Sequence, residues 1–280
     1  TLICGKDQTI NMIEAMAYEM SDEDMGKCFD MAVAEITKWE EFQETLRKDL
    51  GKDKLSFPSI EVPTEVVSLF NERVKPMLEE KLFSPEGKKT IGEAEQLWSE
   101  IIEEKYSIDD SKDKYAAHDY MHHYLDHAFH TAALERSARA DGRALDEVRN
   151  LFAKAGGISD TLHGSGIFYR GETHVLSVLT LAGPESMHTI DGIESSSKKR
   201  FMHHYNFPPY SSGEAGRVGG LNRREMGHGA LVEKALTCVI PNKNIFPYTI
   251  RVVSESTASN GSTSQASICA STVALMDGGV

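Results

Sequence analysis

Long apolar runs are missing from this sequence of 280 residues, and none reaches the roughly 18 residues that a membrane-spanning helix needs. The opening stretch "TLICGKDQTI" lacks the charged segment and following apolar stretch of a secretory signal. Cysteine is scarce: Cys4, Cys28, Cys238 and Cys269 are scattered and form no CxxC pair. Reduced thiols in a cytoplasmic protein are the expectation, with no membrane partner. Without a secretory signal, Asn260-Gly261-Ser262 is discounted as a glycosylation site. A basic surplus is absent too. The net charge is −13, which argues against wrapping a nucleic-acid duplex. There is no initiator methionine at Thr1, and the sequence reads as an internal piece of something longer.

What is present suits a soluble globular chain of about two domains: 40% hydrophobic and 26% charged residues. The acidity is uneven. Residues 1–140 carry 30 acids and 17 bases, whereas residues 141–280 carry 13 of each. In the balanced half the bases cluster at Lys198, Lys199, Arg200, Arg217, Arg223 and Arg224, so the overall acidity does not exclude a local basic groove for a single strand.

Periodicity gives the elements. Residues 2–20 read as two short strands around a turn at Gly5-Lys6-Asp7. Ser21 and Asp24 start a long helix that runs to about Leu50 and stops at Gly51. Its stripe of Met25, Cys28, Met31, Ile36, Trp39 and Phe42 reads as a core-facing side. Pro58 and Pro63 mark a linker. From Thr64 to about Arg139 the pattern is three or four charge-rich helices, with breaks near Pro85 to Gly87 and Ser107 to Lys114. In "HDYMHHYLDHAFH", the pairs His118/His122 and His123/His127 have the i,i+4 spacing that can hold zinc, with Asp119 and Asp126 close by. The five histidines spread round the helix, so a polar surface is the favoured reading and no metal ligand is assigned. The texture changes after "RADGRALDEV". "GIFYRGETHVLSVLTLAG" reads as a hairpin turning at Arg170-Gly171-Glu172; "RFMHHYNF" and "FPYTIRVVSES" read as strands; "NRREMGHGALVEKAL" and "STSQASICASTVALM" read as helices.

Three stretches of this half carry chemistry. From Ser254 to Met276 there are seven serines and three threonines in 23 residues. Asn260-Gly261 suits a sharp turn, which puts Ser262, Thr263 and Ser264 in the first turn of a helix. Free N–H groups and hydroxyls there have the geometry of a phosphate cradle without a P-loop lysine; locally an ordinary Ser/Thr helix cap is the favoured reading and the cradle the alternative. In the second stretch, Arg223 and Arg224 precede His228 between glycines. Guanidinium forks match phosphate oxygens, although a solvated basic turn paired to Glu225 explains them equally. The third is the corner Phe207-Pro208-Pro209-Tyr210. Packing explains it first, and stacking of a base on Tyr205 or Tyr210 second.

Together, "RGETHVLSVLTL", "HHYNFPPYSSGEAGRVGGLNRREMGHGALVEKAL", "FPYTIRVVSESTASNGSTSQAS" and "ALMDGGV" closely resemble the second RNase PH-like core of the polynucleotide phosphorylase family. "RADGRALDEVRNL" resembles the entry to that core. The N-terminal stretch resembles the end of the first core, and the segment between resembles the family's helical domain. The resemblance implies an α+β, RNase PH-like (ribosomal protein S5 domain 2-like) core preceded by an all-helical domain. Residues 1–52 would be the C-terminal end of the first core, 53–139 the helical domain, and 140–280 the second core, C-terminally incomplete.

It also implies a phosphate-dependent 3′-to-5′ exoribonuclease that degrades single-stranded RNA to nucleoside diphosphates and can run backwards as a polymerase. Carried over by position, Arg223, Arg224 and His228 would be catalytic, and Ser262, Thr263 and Ser264 would bind inorganic phosphate. Ala230 stands where some members have arginine. Ser197 lies near another such position, which Lys198 or Lys199 could fill. Magnesium is the implied cofactor, with ligands expected downstream of Val280; Asp277 resembles a structural residue. A homotrimer that can join an RNA degradation complex is the implied assembly. The alternatives are a single-domain RNase PH trimming tRNA ends, disfavoured by the attached helical segment, and a non-catalytic RNA-binding ring subunit of the exosome type, disfavoured by the intact arginines and hydroxyl triplet.

Overall fold

The computed structural model describes all residues except 58–60, 85, 107–109 and 221. Of the positions read from the sequence, Pro58, Pro85 and Ser107 therefore lie outside the described residues. The chain divides into two compact units, one formed by Thr1–Lys52 with Arg149–Val280 and the other by Asp53–Val148.

The Asp53–Val148 unit is helical: α2 (Thr64–Arg73), α3 (Lys75–Lys81), α4 (Gly87–Lys105) and α5 (Ser111–Arg136). Its core is built round Phe70, whose ring meets the rings of Trp98 at 5.3 Å and Tyr124 at 5.1 Å. Trp98 is fully buried, and its Nε1–H donates to the Ala117 carbonyl at 2.8 Å, so the indole leaves no orphan donor. The histidines of α5 sit on a polar surface. His123 pairs with Asp119 at 3.3 Å and His130 with Asp126 at 3.4 Å, all well exposed. Among the described residues no three His, Cys, Asp or Glu side chains gather as a metal site.

In the other unit, β1 (Leu2–Lys6) and β2 (Thr9–Glu14) pair antiparallel. The turn falls one step later than the sequence suggests. Asp7 and Gln8 take positive φ (50° and 61°), while Gly5 sits in β1 at a register shift. Helix α1 (Asp22–Leu50) begins with the Ser21 side chain accepting from the Asp24 N–H and ends at Gly51. Its apolar stripe is not a core here: none of its residues is buried, and Met31, Trp39 and Phe42 are exposed.

Residues 149–280 form a five-stranded sheet in the order β3-β4-β5-β9-β8 (β3 Leu151–Ala155, β4 Gly164–Arg170, β5 Thr173–Ala182, β8 Phe201–Asn206, β9 Thr249–Ala258). The β4–β5 hairpin turns at Gly171, which has φ 56°. Strands β8 and β9 are parallel and therefore need a crossover, supplied by α6 (Arg223–Thr237). A separate hairpin joins β6 (His188–Asp191) to β7 (Ser196–Lys199). Helix α7 (Thr263–Asp277) leaves the end of β9 and lies back over the sheet.

The contact of α7 with β4 is so close that side chains are excluded. A Cβ on Gly166 would overlap the Ala270 carbonyl oxygen, and one on Gly164 would stand 2.5 Å from the Ala274 carbonyl oxygen. The helix accordingly buries Ala266, Ser267, Ala270, Ser271 and Ala274. Buried hydroxyls need partners, and these find one another. Ser254 of β9 shares hydrogen bonds with Ser177 of β5 at 2.7 Å, Ser271 at 3.1 Å and His203 Nε2 at 2.8 Å. The same spacing that admits α7 thus explains much of the serine density between Ser254 and Ser271.

Two tests follow from this layer. Gly166→Ala should lower the unfolding free energy by about 2–3 kcal/mol in urea denaturation, as overpacking does; an unchanged midpoint would mean the helix can retreat. Burial, aided by the charge of His204, pushes His203 down to about 4, below the ordinary 6.5. Between these values the unfolded chain takes a proton that the folded chain refuses. Stability should be full above pH 6.5 and fall by up to about 3 kcal/mol as pH drops to 4. His203→Gln should flatten that slope in denaturation curves recorded at pH 7 and pH 4.5.

Candidate functional site

The turn between β9 and α7 is held from outside by side chains. Gly261 and Ser262 take left-handed backbone angles, φ 83° and 48°. The Asn260 carbonyl accepts from the Arg149 guanidinium at 2.7 Å, and the Gly261 carbonyl from Arg170 at 2.8 Å and Thr173 Oγ1 at 3.1 Å. Arg170 also reaches the Ser262 carbonyl at 3.3 Å. The Asn260 N–H donates to Thr173 Oγ1, and its side-chain amide to Glu172. The outward carbonyls are thus neutralised. The N–H groups of the first turn of α7, which have no intrahelical acceptor, keep the positive end of the helix.

Ser262 occupies the N-cap position, yet its side chain makes no cap hydrogen bond, and the residue is exposed. An ordinary hydroxyl cap is therefore not what it provides. Thr263 and Ser264 are buried. Thr263 Oγ1 shares a 2.5 Å hydrogen bond with the Tyr205 hydroxyl, and Ser264 Oγ donates to Gln265 Oε1 at 2.9 Å.

Helix α6 starts with a complete capping box. Asn222 Oδ1 accepts from the Glu225 N–H at 2.8 Å, and Glu225 Oε2 accepts from the Asn222 N–H at 3.2 Å. Glu225 Oε1 also accepts from the Phe207 N–H at 2.8 Å, which ties the Phe-Pro-Pro-Tyr corner to the helix. The Arg224 guanidinium lies 4.0 Å over the Phe207 ring. Phe207 stacks on Tyr205 at 6.3 Å, and His228 meets Tyr205 edge-on at 5.1 Å. Arg224, His228 and Thr263 are therefore gathered round one buried tyrosine. Arg223 is exposed in the first turn of α6, with no hydrogen bond or ion pair linking it to the triplet among the described residues.

Burial, and secondarily the charge of Arg224, hold His228 below the usual histidine range, and its Nδ1 is buried with no partner among the described residues. Burial raises the Tyr205 hydroxyl. Tyr205 is 2% exposed and cannot stack on a base, whereas Tyr210 is 56% exposed. Tyr210 lines a cavity of about 370 Å³ together with Phe207, Arg217, Asn222 and Glu255. Of the other basic candidates, Lys199 pairs with Glu233 at 2.5 Å, Ser197 and Lys198 lie on β7, and Ala230 is exposed.

The carboxylates present do not fit a magnesium site at the triplet. Both Glu225 oxygens are engaged, Glu255 accepts from Asn206 at 2.5 Å, and Asp277 lies at the other end of α7, accepting from the Ser165 N–H at 2.9 Å. Sequence reasoning missed Arg149, Arg170 and Thr173, which build the turn. Arg170 and Thr173 were signalled only by their place beside the Gly171 turn, and Arg149 by nothing local.

Residues 147–280 match the 3′ exoribonuclease family, domain 1, known as RNase PH. Over its full length the chain is 40% identical to a polyribonucleotide nucleotidyltransferase of Caldicellulosiruptor saccharolyticus, covering 40% of that protein. It is 42% identical to the one of Lysinibacillus sphaericus over 99% of its length, again covering 40% of the relative. The chain thus spans about 40% of the length of these curated relatives. Among solved structures, a chain of the Archaeoglobus fulgidus exosome with RNA bound to the active site aligns with a TM-score of 0.43 and 16% identity, over 52% of this chain and 58% of that one. The α+β, RNase PH-like fold expected for the C-terminal half is borne out by the family match.

The neighbouring guanidinium disfavours the imidazolium form of His228. Arg224→Ala should therefore raise the His228 titration midpoint, read by NMR of the ring protons. A lowered midpoint would mean that Arg224 shields His228 instead of opposing its charge.

Proposed function

We propose that this chain, about 40% identical over its length to polyribonucleotide nucleotidyltransferases, is the phosphate-handling part of a phosphorolytic 3′-to-5′ exoribonuclease. The observation that supports the reading is the contact of Tyr205 with Thr263 in the first turn of α7 and with His228 of α6, beside Phe207, on whose ring Arg224 lies. In this reaction an oxygen of inorganic phosphate attacks the phosphorus of the terminal phosphodiester. The bond to the 3′ oxygen of the preceding ribose breaks, that oxygen takes up a proton, and a nucleoside diphosphate leaves. The first turn of α7, with Ser262, Thr263 and Ser264, holds the inorganic phosphate. Arg223 and Arg224 hold the phosphodiester and offset the crowding of two anions. A neutral His228 offers one N–H donor and one acceptor without adding charge. Tyr210 offers an exposed ring for a base.

The reading carries further assignments. Residues 1–52 belong to a first RNase PH-like core, 53–139 to a helical domain, and 140–280 to a second core. Single-stranded RNA, inorganic phosphate and nucleoside diphosphates are the ligands; a cytoplasmic homotrimer, open to an RNA degradation complex, is the assembly. Magnesium is the metal of the proposed reaction, held by carboxylates other than Glu225, Glu255 and Asp277, which are engaged elsewhere. No helix among the described residues is long and apolar enough to cross a membrane.

The test uses the whole protein with poly(A). ADP should appear only when inorganic phosphate is added; release of AMP, or release independent of phosphate, would refute the reading. Arg223→Ala should weaken RNA binding alike across sequences and reduce the slope of log K against log salt by about one, because phosphate contacts carry no base information. Altered base preference with an unchanged slope would remove Arg223 from the phosphate contact.

A further inference from the structure

We infer that Tyr205 is a positioning residue for inorganic phosphate: its buried hydroxyl fixes the first turn of α7 against the arginine–histidine face of α6. The inference rests on the function proposed above and deepens it.

The residue does not touch substrate. Tyr205 is among the largest fully buried side chains, at 2% exposure. A buried hydroxyl costs free energy unless it is bonded, and a phenylalanine would fill nearly the same space. The hydroxyl therefore matters through what it meets, chiefly Thr263 Oγ1, which lies 2.5 Å away and is itself 1% exposed, and secondarily Ser256. Thr263 is the first residue of α7. On the other side, the Tyr205 ring meets the His228 ring at 5.1 Å and the Phe207 ring at 6.3 Å. Phe207 in turn carries the Arg224 guanidinium and donates its N–H to Glu225. One side chain on β8 therefore touches α7 through its oxygen and α6 through the T-shaped contact with His228, while its face stacks on Phe207.

Position matters more here than at an ordinary packing contact. The anion must meet N–H groups from α7 and charge from α6 at once, and a shift of one helix start against the other loses part of that convergence. The backbone of α7 is clamped against β4 further along, at Gly166 and Gly164. The first turn lies beyond that clamp, held by Arg149 and Arg170 from the turn side and by Tyr205 from the α6 side.

The experiment uses the whole protein and two readouts, phosphate binding by calorimetry and phosphate-dependent ADP release from poly(A). Tyr205→Phe should weaken phosphate binding by about fivefold, the order expected for one lost hydrogen bond, and raise the KM for phosphate equally. RNA affinity without phosphate should stay within twofold. Adding Tyr205→Phe to Thr263→Val should cost nothing further, because the two act through one contact. A purely structural tyrosine would lower the melting temperature and leave the phosphate affinity of the folded protein intact; that result, or additive losses in the double variant, would overturn the inference. Phosphate binding by the unaltered protein without any phosphorolysis would refute the proposed reaction while leaving the Tyr205 result readable. No phosphate binding by the unaltered protein would overturn both.

Discussion

The close approach of α7 to β4 is the constraint on which the rest of the C-terminal half depends. Gly164 and Gly166 give up their side chains so that the helix backbone can lie on the strand. The helix answers with alanine and serine, and the sheet beneath it with Ser177 and Ser254. Small side chains bury little apolar area, so this layer relies on contact density and on hydroxyls that satisfy one another. Larger apolar burial is displaced to the flank, where Leu179, Val232, Leu236, Ile250 and Leu275 form a conventional core between α6, α7 and the sheet. The hydroxyl-rich composition is therefore first a packing solution. Of the hydroxyls at the start of α7, Ser262 alone is exposed, and its side chain makes no cap hydrogen bond.

Much of this was legible in the sequence, for identifiable reasons. The β4–β5 hairpin announced itself because a glycine turn separated two β-branched runs, and it folds round Gly171. The starts of α6 and α7 were readable because capping and turn chemistry are local. The fate of the α1 stripe was not readable: spacing marks an apolar face, but not what covers it, and Trp39 is 63% exposed. Strand β3 and the β6–β7 hairpin gave no signal either. Their residues are nearly all exposed, so no burial imposed a period of two.

At the site, the sequence offered the ligand-facing residues and withheld the ones that aim them. Arg223, Arg224, His228 and the hydroxyl triplet have chemistry that can be recognised residue by residue. The pairing of Tyr205 with Thr263 spans 58 positions, and the grip of Arg170 on Gly261 spans 91. Such contacts come into being only when the sheet order β4-β5-β9-β8 sets the distances. Tyr205 and Tyr210 illustrate the point. Both looked able to stack on a base, yet the alternation of β8 turns one into the core, while the proline corner leaves the other at the surface.

The electrostatics follow from the same division of labour. A chain of net charge −13 is a poor host for phosphate and RNA unless the charge is organised. All of that excess lies in residues 1–140, and the half that carries the site is balanced. Within that half, carbonyl oxygens at the β9–α7 turn would repel an anion. Arg149 and Arg170 occupy them, so two of the bases act by cancelling dipoles instead of binding ligand. Glu225, the carboxylate nearest the arginine pair, is used up by the Asn222 and Phe207 N–H groups and so does not neutralise Arg224. What is left over is the positive end of α7 and the guanidinium of Arg224, with an imidazole that its surroundings keep neutral. The affinity for anions is thus produced less by adding positive charge than by giving every nearby negative group a partner of its own.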